Sequence, residues 1–115
     1  MLGDVGGTNI RLELVIIKPP SNTPERTIKR ADYLVAEEAD FGECLRKFLS
    51  DVDVYPEVAA IAMAGPVKNN KLSMANVRKW GVIDGDKLSQ QLNIPTFKLM
   101  NDFEANSFGL LLVPD

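Results

Sequence analysis

The 115-residue chain contains no histidine and a single cysteine, Cys44. Zinc sites built on imidazole and thiolate are therefore excluded within it, and so is a histidine-based catalytic triad. One thiol cannot close an internal disulfide, which fits a reducing compartment such as the cytoplasm. An excess of either charge is also missing. Lys and Arg number 13 against 16 Asp and Glu, a net charge of -3, and the two signs are interleaved. No basic block is available to neutralise a phosphate backbone, so no nucleic-acid partner is expected. The apolar runs fall far short of the ~20 residues that cross a bilayer. No basic start leads into an apolar stretch, so neither a membrane association nor a secretory signal is expected. What is present is 45% hydrophobic and 25% charged residues, the balance of one globular domain with a modest core.

Periodicity orders the chain. Ile10, Leu12, Leu14 and Ile16 alternate with Arg11, Glu13 and Val15, the period of two that marks a strand. Met1-Leu2 reads as the tail of an earlier strand, with Gly6-Gly7-Thr8-Asn9 as the turn of a hairpin. Three prolines mark a loop over 18–24, and a third strand is expected from Thr27 to Val35. Asp40 with Glu43 three residues on forms a capping box. Phe41, Leu45, Phe48 and Leu49 follow at helical spacing, with the helix ending near Asp51. Val58 to Ala64 reads as a buried strand stopped by Gly65-Pro66. Asn69-Asn70 is a turn, and Lys71 to Ala75 a short strand. Asp84 caps a second helix carrying Leu88 and Leu92, which ends at Asn93-Ile94-Pro95. Thr96 to Met100 is a further buried strand, and Phe103 to Leu112 a third helix. Strands that feed helices and return to one sheet give an α/β fold, with ligands at the C-terminal ends of the strands. Phe41, Phe48, Phe97, Trp80 and Cys44 are expected in the core, and Glu37, Glu38 and Asp40 on a solvated acidic surface.

Two segments could carry chemistry. In Gly3-Asp4-Val5-Gly6-Gly7-Thr8-Asn9, paired glycines let backbone N–H groups approach a bulky anion with no side chain in the way. Thr8 adds a hydroxyl donor, and Asp4 could hold Mg²⁺ through water. The same string also reads as a hairpin turn that merely needs glycine. It is neither a Walker A loop nor a G-x-G-x-x-G fingerprint. The second segment is Asn101-Asp102, at the junction of a buried strand and a helix. A carboxylate there can take a proton from a substrate hydroxyl, and the neighbouring amide can orient the same substrate. Taken alone, the pair reads more readily as helix capping. Together, a phosphate-gripping turn and a general base are the minimum geometry for phosphoryl transfer to an alcohol.

GDVGGTNIRLEL at Gly3–Leu14 resembles the phosphate-binding hairpin of glucokinases, in the hexokinase/actin/Hsp70 superfamily. MNDFEANSFG at Met100–Gly109 resembles their catalytic segment. IAMAGPV at Ile61–Val67 and LSMANVRKW at Leu72–Trp80 resemble the intervening apolar strand and sugar-side loop. The four matches come in the family's order and run over nearly the whole chain. The fold this resemblance implies is a ribonuclease-H-like small lobe, a mixed sheet of about five strands with flanking helices, filling residues 1–115. It implies ATP-dependent phosphorylation of glucose at the 6-hydroxyl, with ATP and Mg²⁺. Asp102 would be the catalytic base, with Asn101 and Asn76 binding the sugar beside it. Asp4, Gly6, Gly7 and Thr8 would form the phosphate and Mg²⁺ end of the cleft. Arg11 and Trp80 also match family positions, and structural roles are expected for both.

Members of that family are much longer, and their second lobe supplies the adenine pocket and further sugar ligands. The expectation is therefore a fragment that carries part of an active site and is inactive alone. An apolar surface around Asn101 and Leu110–Val113, meant for the second lobe, would favour self-association, with a homodimer as one outcome. The rival reading is a non-catalytic module that binds a sugar, a nucleotide or a partner chain. A kinase for another hexose is the nearer rival.

Overall fold

The computed structural model describes residues 1–17, 24–74 and 77–101. The expected helix over Phe103–Leu112 lies outside them, as do the apolar residues Leu110–Val113. Strands β1 (Leu2–Val5), β2 (Asn9–Ile17) and β3 (Pro24–Leu34) form an antiparallel meander. Helix α1 (Phe41–Leu49) follows, then β4 (Val58–Met63). A small ribbon pairs β5 (Lys71–Ser73) with β6 (Val82–Asp84), and α2 (Gly85–Leu92) leads into β7 (Thr96–Asn101). The main sheet has the order β3-β2-β1-β4-β7, with β1, β4 and β7 parallel to one another. The α/β class and the five-stranded mixed sheet agree with the sequence.

Both helices form where their caps dictate. The Asp40 carboxylate accepts the Glu43 N–H at 3.2 Å. The Asp84 carboxylate accepts from Asp86 N–H at 3.0 Å and Lys87 N–H at 3.2 Å. Each cap is worth about 1 kcal/mol. Asn93 ends α2 in the left-handed region at φ 56°, a conformation asparagine tolerates. The apolar stripes, Phe41, Cys44, Leu45 and Phe48 on α1 and Leu88 and Leu92 on α2, are buried. They join one core with Ile10, Leu12 and Leu14 of β2, Ile61 and Met63 of β4, and Phe97 and Leu99 of β7. Full burial of a side chain the size of Phe48 contributes roughly 1.5–3 kcal/mol. Gly3 belongs to this core for a steric reason. A Cβ there would lie 2.7 Å from Ile61 Cδ1 and 2.9 Å from Leu12 Cδ2.

Several expectations are corrected. Strand β3 begins at Pro24 and yields to a 3₁₀ turn at Val35, α1 stops at Leu49, and β5 stops at Ser73. Strand β6 is a three-residue element too short to leave a periodic trace. Glu38 is buried, not solvated. Its carboxylate pairs with Lys47 Nζ at 2.7 Å, and its carbonyl accepts the Trp80 indole N–H at 2.8 Å. Trp80 itself is buried, 5.5 Å from the Phe41 ring, as expected for a core residue. Cys44 lies beneath the same network, and burial pushes its thiol up to about 12. Arg11 pairs with Asp32 at 3.5 Å across β2 and β3. Large exposed apolar side chains gather around Ile16, Ile17, Val54, Tyr55 and Val58. Those of β2 lie at the end of the strand remote from the Gly6–Asn9 turn, so this surface is not the one expected around Asn101. No helix among the described residues is long and apolar enough to cross a membrane.

Candidate active site

Register decides which residues meet. Val5 of β1 pairs with Met63 of β4, and Met63 pairs with Asn101 of β7. The three parallel strands therefore end in line. The Gly6–Asn9 turn and Asn101, far apart in sequence, stand on one edge of the sheet, two strand spacings or about 10 Å apart. This is the C-terminal edge, where open α/β sheets bind ligands.

The turn at that edge is closed by the Gly6 N–H donating to Asn9 O at 3.0 Å. The Val35 N–H holds Thr8 O at 2.9 Å, so the next element of chain braces the turn from outside. Gly7 and Thr8 are exposed and Gly6 is half-buried. A Cβ at Gly6 would meet only Asn9 O, at 4.0 Å. Neither Gly6 nor Gly7 adopts a positive φ; among the described glycines only Gly65 and Gly81 do. Glycine is therefore not required here for left-handed backbone, one of the two reasons the sequence offered. What it leaves at the edge is bare backbone, open to a bulky anion. Asp4, two residues before Gly6, is half-buried on β1 opposite Arg11 and Ala62.

The residues present fit magnesium held jointly with phosphates. Magnesium uses one or two carboxylates plus water and substrate oxygens, and Asp4 with exposed Thr8 offers that sparse set. Among the described residues no cluster of three His, Cys, Asp or Glu could form an all-protein cage. On the other side of the edge, Asn101 is half-buried at the last position of β7. Asn76 and Asp102 lie outside the described residues. The chain on either side of Asn76 is anchored, because Met74 and Val77 are buried and the Val77 N–H donates to Met74 O at 3.0 Å. Sequence reasoning found the two ends of the edge through their glycines and their Asn-Asp pair. It missed Asn70, whose side chain braces β7 and which read only as a turn residue.

A glucokinase family profile matches residues 1–115. A glucokinase from Nostoc sp. is 36% identical over 113 residues, covering 96% of this chain and 32% of that protein. One from Sinorhizobium fredii is 29% identical over 115 residues, again covering 32% of its own length. The chain thus spans about a third of the curated relatives it matches. The crystal structure of a glucokinase from an Antarctic psychrotroph superposes with a TM-score of 0.81 at 24% identity, over 99% of this chain and 35% of that one. At that identity the likeness speaks for the fold.

Proposed function

Because the chain belongs to the glucokinase family, we propose that it is the small lobe of a kinase that transfers the γ-phosphoryl group of ATP to the 6-hydroxyl of glucose, in the cytoplasm. The observation that carries this reading is the shared register of β1, β4 and β7, which brings the glycine turn and Asn101 to one edge. Asp102, next in the chain, takes the proton of the sugar 6-hydroxyl as that oxygen bonds to phosphorus and the bond to the β-phosphate oxygen breaks. Asn101 and Asn76 orient the sugar by donating and accepting hydrogen bonds. The N–H groups of Gly7 and Thr8 hold the phosphates, with Gly6 leaving room beside them as its own N–H closes the turn, and Asp4 would hold Mg²⁺ through water. The metal, when bound, offsets negative charge on the phosphoryl oxygens. The adenine pocket and the remaining sugar ligands belong to a second lobe supplied by the rest of the protein, whose closure excludes water as a competing acceptor.

A coupled assay for glucose 6-phosphate tests this in the whole protein. Asp102→Asn keeps the shape of the side chain and loses its basicity. Its kcat is expected to fall ~10²–10⁴-fold, while glucose affinity changes far less. Near-normal kcat in that variant would return Asp102 to a helix cap. The 115-residue chain alone is expected to show no turnover.

A further inference from the structure

We propose that Asn70 is a positioning residue for the sugar side of the site. Its side-chain amide takes the place of a further strand on the outer edge of β7, and so fixes the turn before β5 against the strand that ends at Asn101. The role rests on the function proposed above.

Among the described residues β7 is the edge of the main sheet, and edge strands leave backbone N–H and C=O groups facing outward. On β7 those flanking Lys98 are taken by one side chain. Asn70 Nδ2 donates to Phe97 O at 2.8 Å, and Asn70 Oδ1 accepts the Leu99 N–H at 2.8 Å. An acceptor two residues before a donor is the pair that a further parallel strand would engage. The second Nδ2 hydrogen donates to Asp86 at 3.0 Å, which fixes which way the amide faces. The Asn70 carbonyl accepts the Gly85 N–H at 2.8 Å. One residue therefore joins the turn, the start of α2 and the edge of β7.

Two features show that the surroundings accommodate this side chain. Asn69 and Asn70 have φ of 55° and 60°, and the Lys68 and Lys71 backbones exchange hydrogen bonds at 3.0 and 3.1 Å. That is a two-residue hairpin turn with both central residues left-handed, where glycine is favoured at the second position. An asparagine there keeps the turn and adds the amide. Across from it, a Cβ on Gly85 would lie 2.4 Å from Asn70 Nδ2, so glycine at the first position of α2 leaves the amide its room.

The consequence lies in what the joined segments carry. From Asn70 the chain runs through β5 toward Asn76, and from Leu99 it runs to Asn101 and Asp102. Asn70 thus ties the turn that leads into one segment assigned to the sugar to the strand that leads into the other, and among the described residues no hydrogen bond joins it to the Gly6–Asn9 turn. Asn70→Gly deletes the amide and suits the turn. Gly85→Ala displaces the amide and leaves Asn70 in place. In the whole protein, both are expected to raise the KM for glucose about tenfold, since a misplacement near 1 Å can cost up to ~10²-fold. The KM for ATP should stay within about twofold, a split that loss of folded protein would not produce. Glucose KM within about twofold of the parent in both variants would overturn the assignment. A parent protein that turns over ATP without glucose would overturn the functional reading itself, and the role with it.

Discussion

Two tight turns in this chain are built on opposite plans. The Gly6–Asn9 turn has exposed glycines and no positive φ. The turn around Asn69-Asn70 has left-handed backbone at both central residues and a side chain engaged with two other elements. The second turn is filled by its own protein. The first has exposed glycines at the C-terminal edge of the sheet, with no positive φ to require them. Asparagines kept where the backbone favours glycine mark a residue retained for its side chain.

The widest separation between the two plans is expected from Gly7→Val. No positive φ opposes valine there, so the melting temperature should stay within the range of an ordinary surface substitution, about 0.5 kcal/mol. On the proposed function, kcat/KM for ATP in the whole protein should fall about 10²-fold, because the branched side chain would occupy the space assigned there to phosphates. A large loss of stability with normal ATP kinetics would make this turn structural, like the other. Gly3→Ala, in the same glycine-rich string, should do the reverse. Its Cβ meets Ile61 and Leu12 inside 3 Å, and overpacking of this kind costs about 1–3 kcal/mol, read as a lower midpoint in a denaturant titration. Asn69→Gly sharpens the contrast within the second turn. Asn69 is exposed, and glycine relieves its left-handed backbone, so stability should change by no more than about 0.5 kcal/mol, with no effect on glucose KM.

The smallest effect is expected away from both turns, at Cys44. Burial, then the nearby Glu38 carboxylate, raises its thiol from 9.0 to about 12. Between those values the unfolded thiol has lost its proton while the native one keeps it. The native state then binds more protons, so stability declines as pH rises through that window and is unaffected below it. Cys44→Ala should flatten that alkaline decline in melts taken from pH 8 upward. At neutral pH the native thiol should resist iodoacetamide.

Much of this was legible in the sequence, and the gaps have physical causes. The strand from Ile10, the caps at Asp40 and Asp84 and the strand from Thr96 stood out because alternation, capping and helical spacing are local. Glu38 was assigned to the surface because its neighbours Glu37 and Asp40 are acidic and exposed. Its burial depends on Lys47 and Trp80, which arrive from elsewhere in the fold. Strand β6 is defined by its pairing with β5 rather than by any pattern of its own. Asn70 was legible as a turn residue and not as a brace, because its partners Phe97 and Leu99 lie far along the chain. For the candidate site, the glycine turn and Asn101 were found by residue type, but their meeting at one edge required the register of β4 between them.

The sheet order also sets a timetable for assembly. Strands β1, β2 and β3 pair with near neighbours and can zip together early, with little loop entropy to overcome. Joining Leu2 of β1 to Ala60 of β4, 58 positions on, closes a long loop, and such long-range pairings are the slow steps of folding. Among the described residues β7 pairs in the main sheet only with β4, so its docking waits on that event. The Gly6–Asn9 turn is thus complete while the Asn101 end of the same edge is still unformed. A chain emerging from the ribosome would hold one end of that edge well before the other.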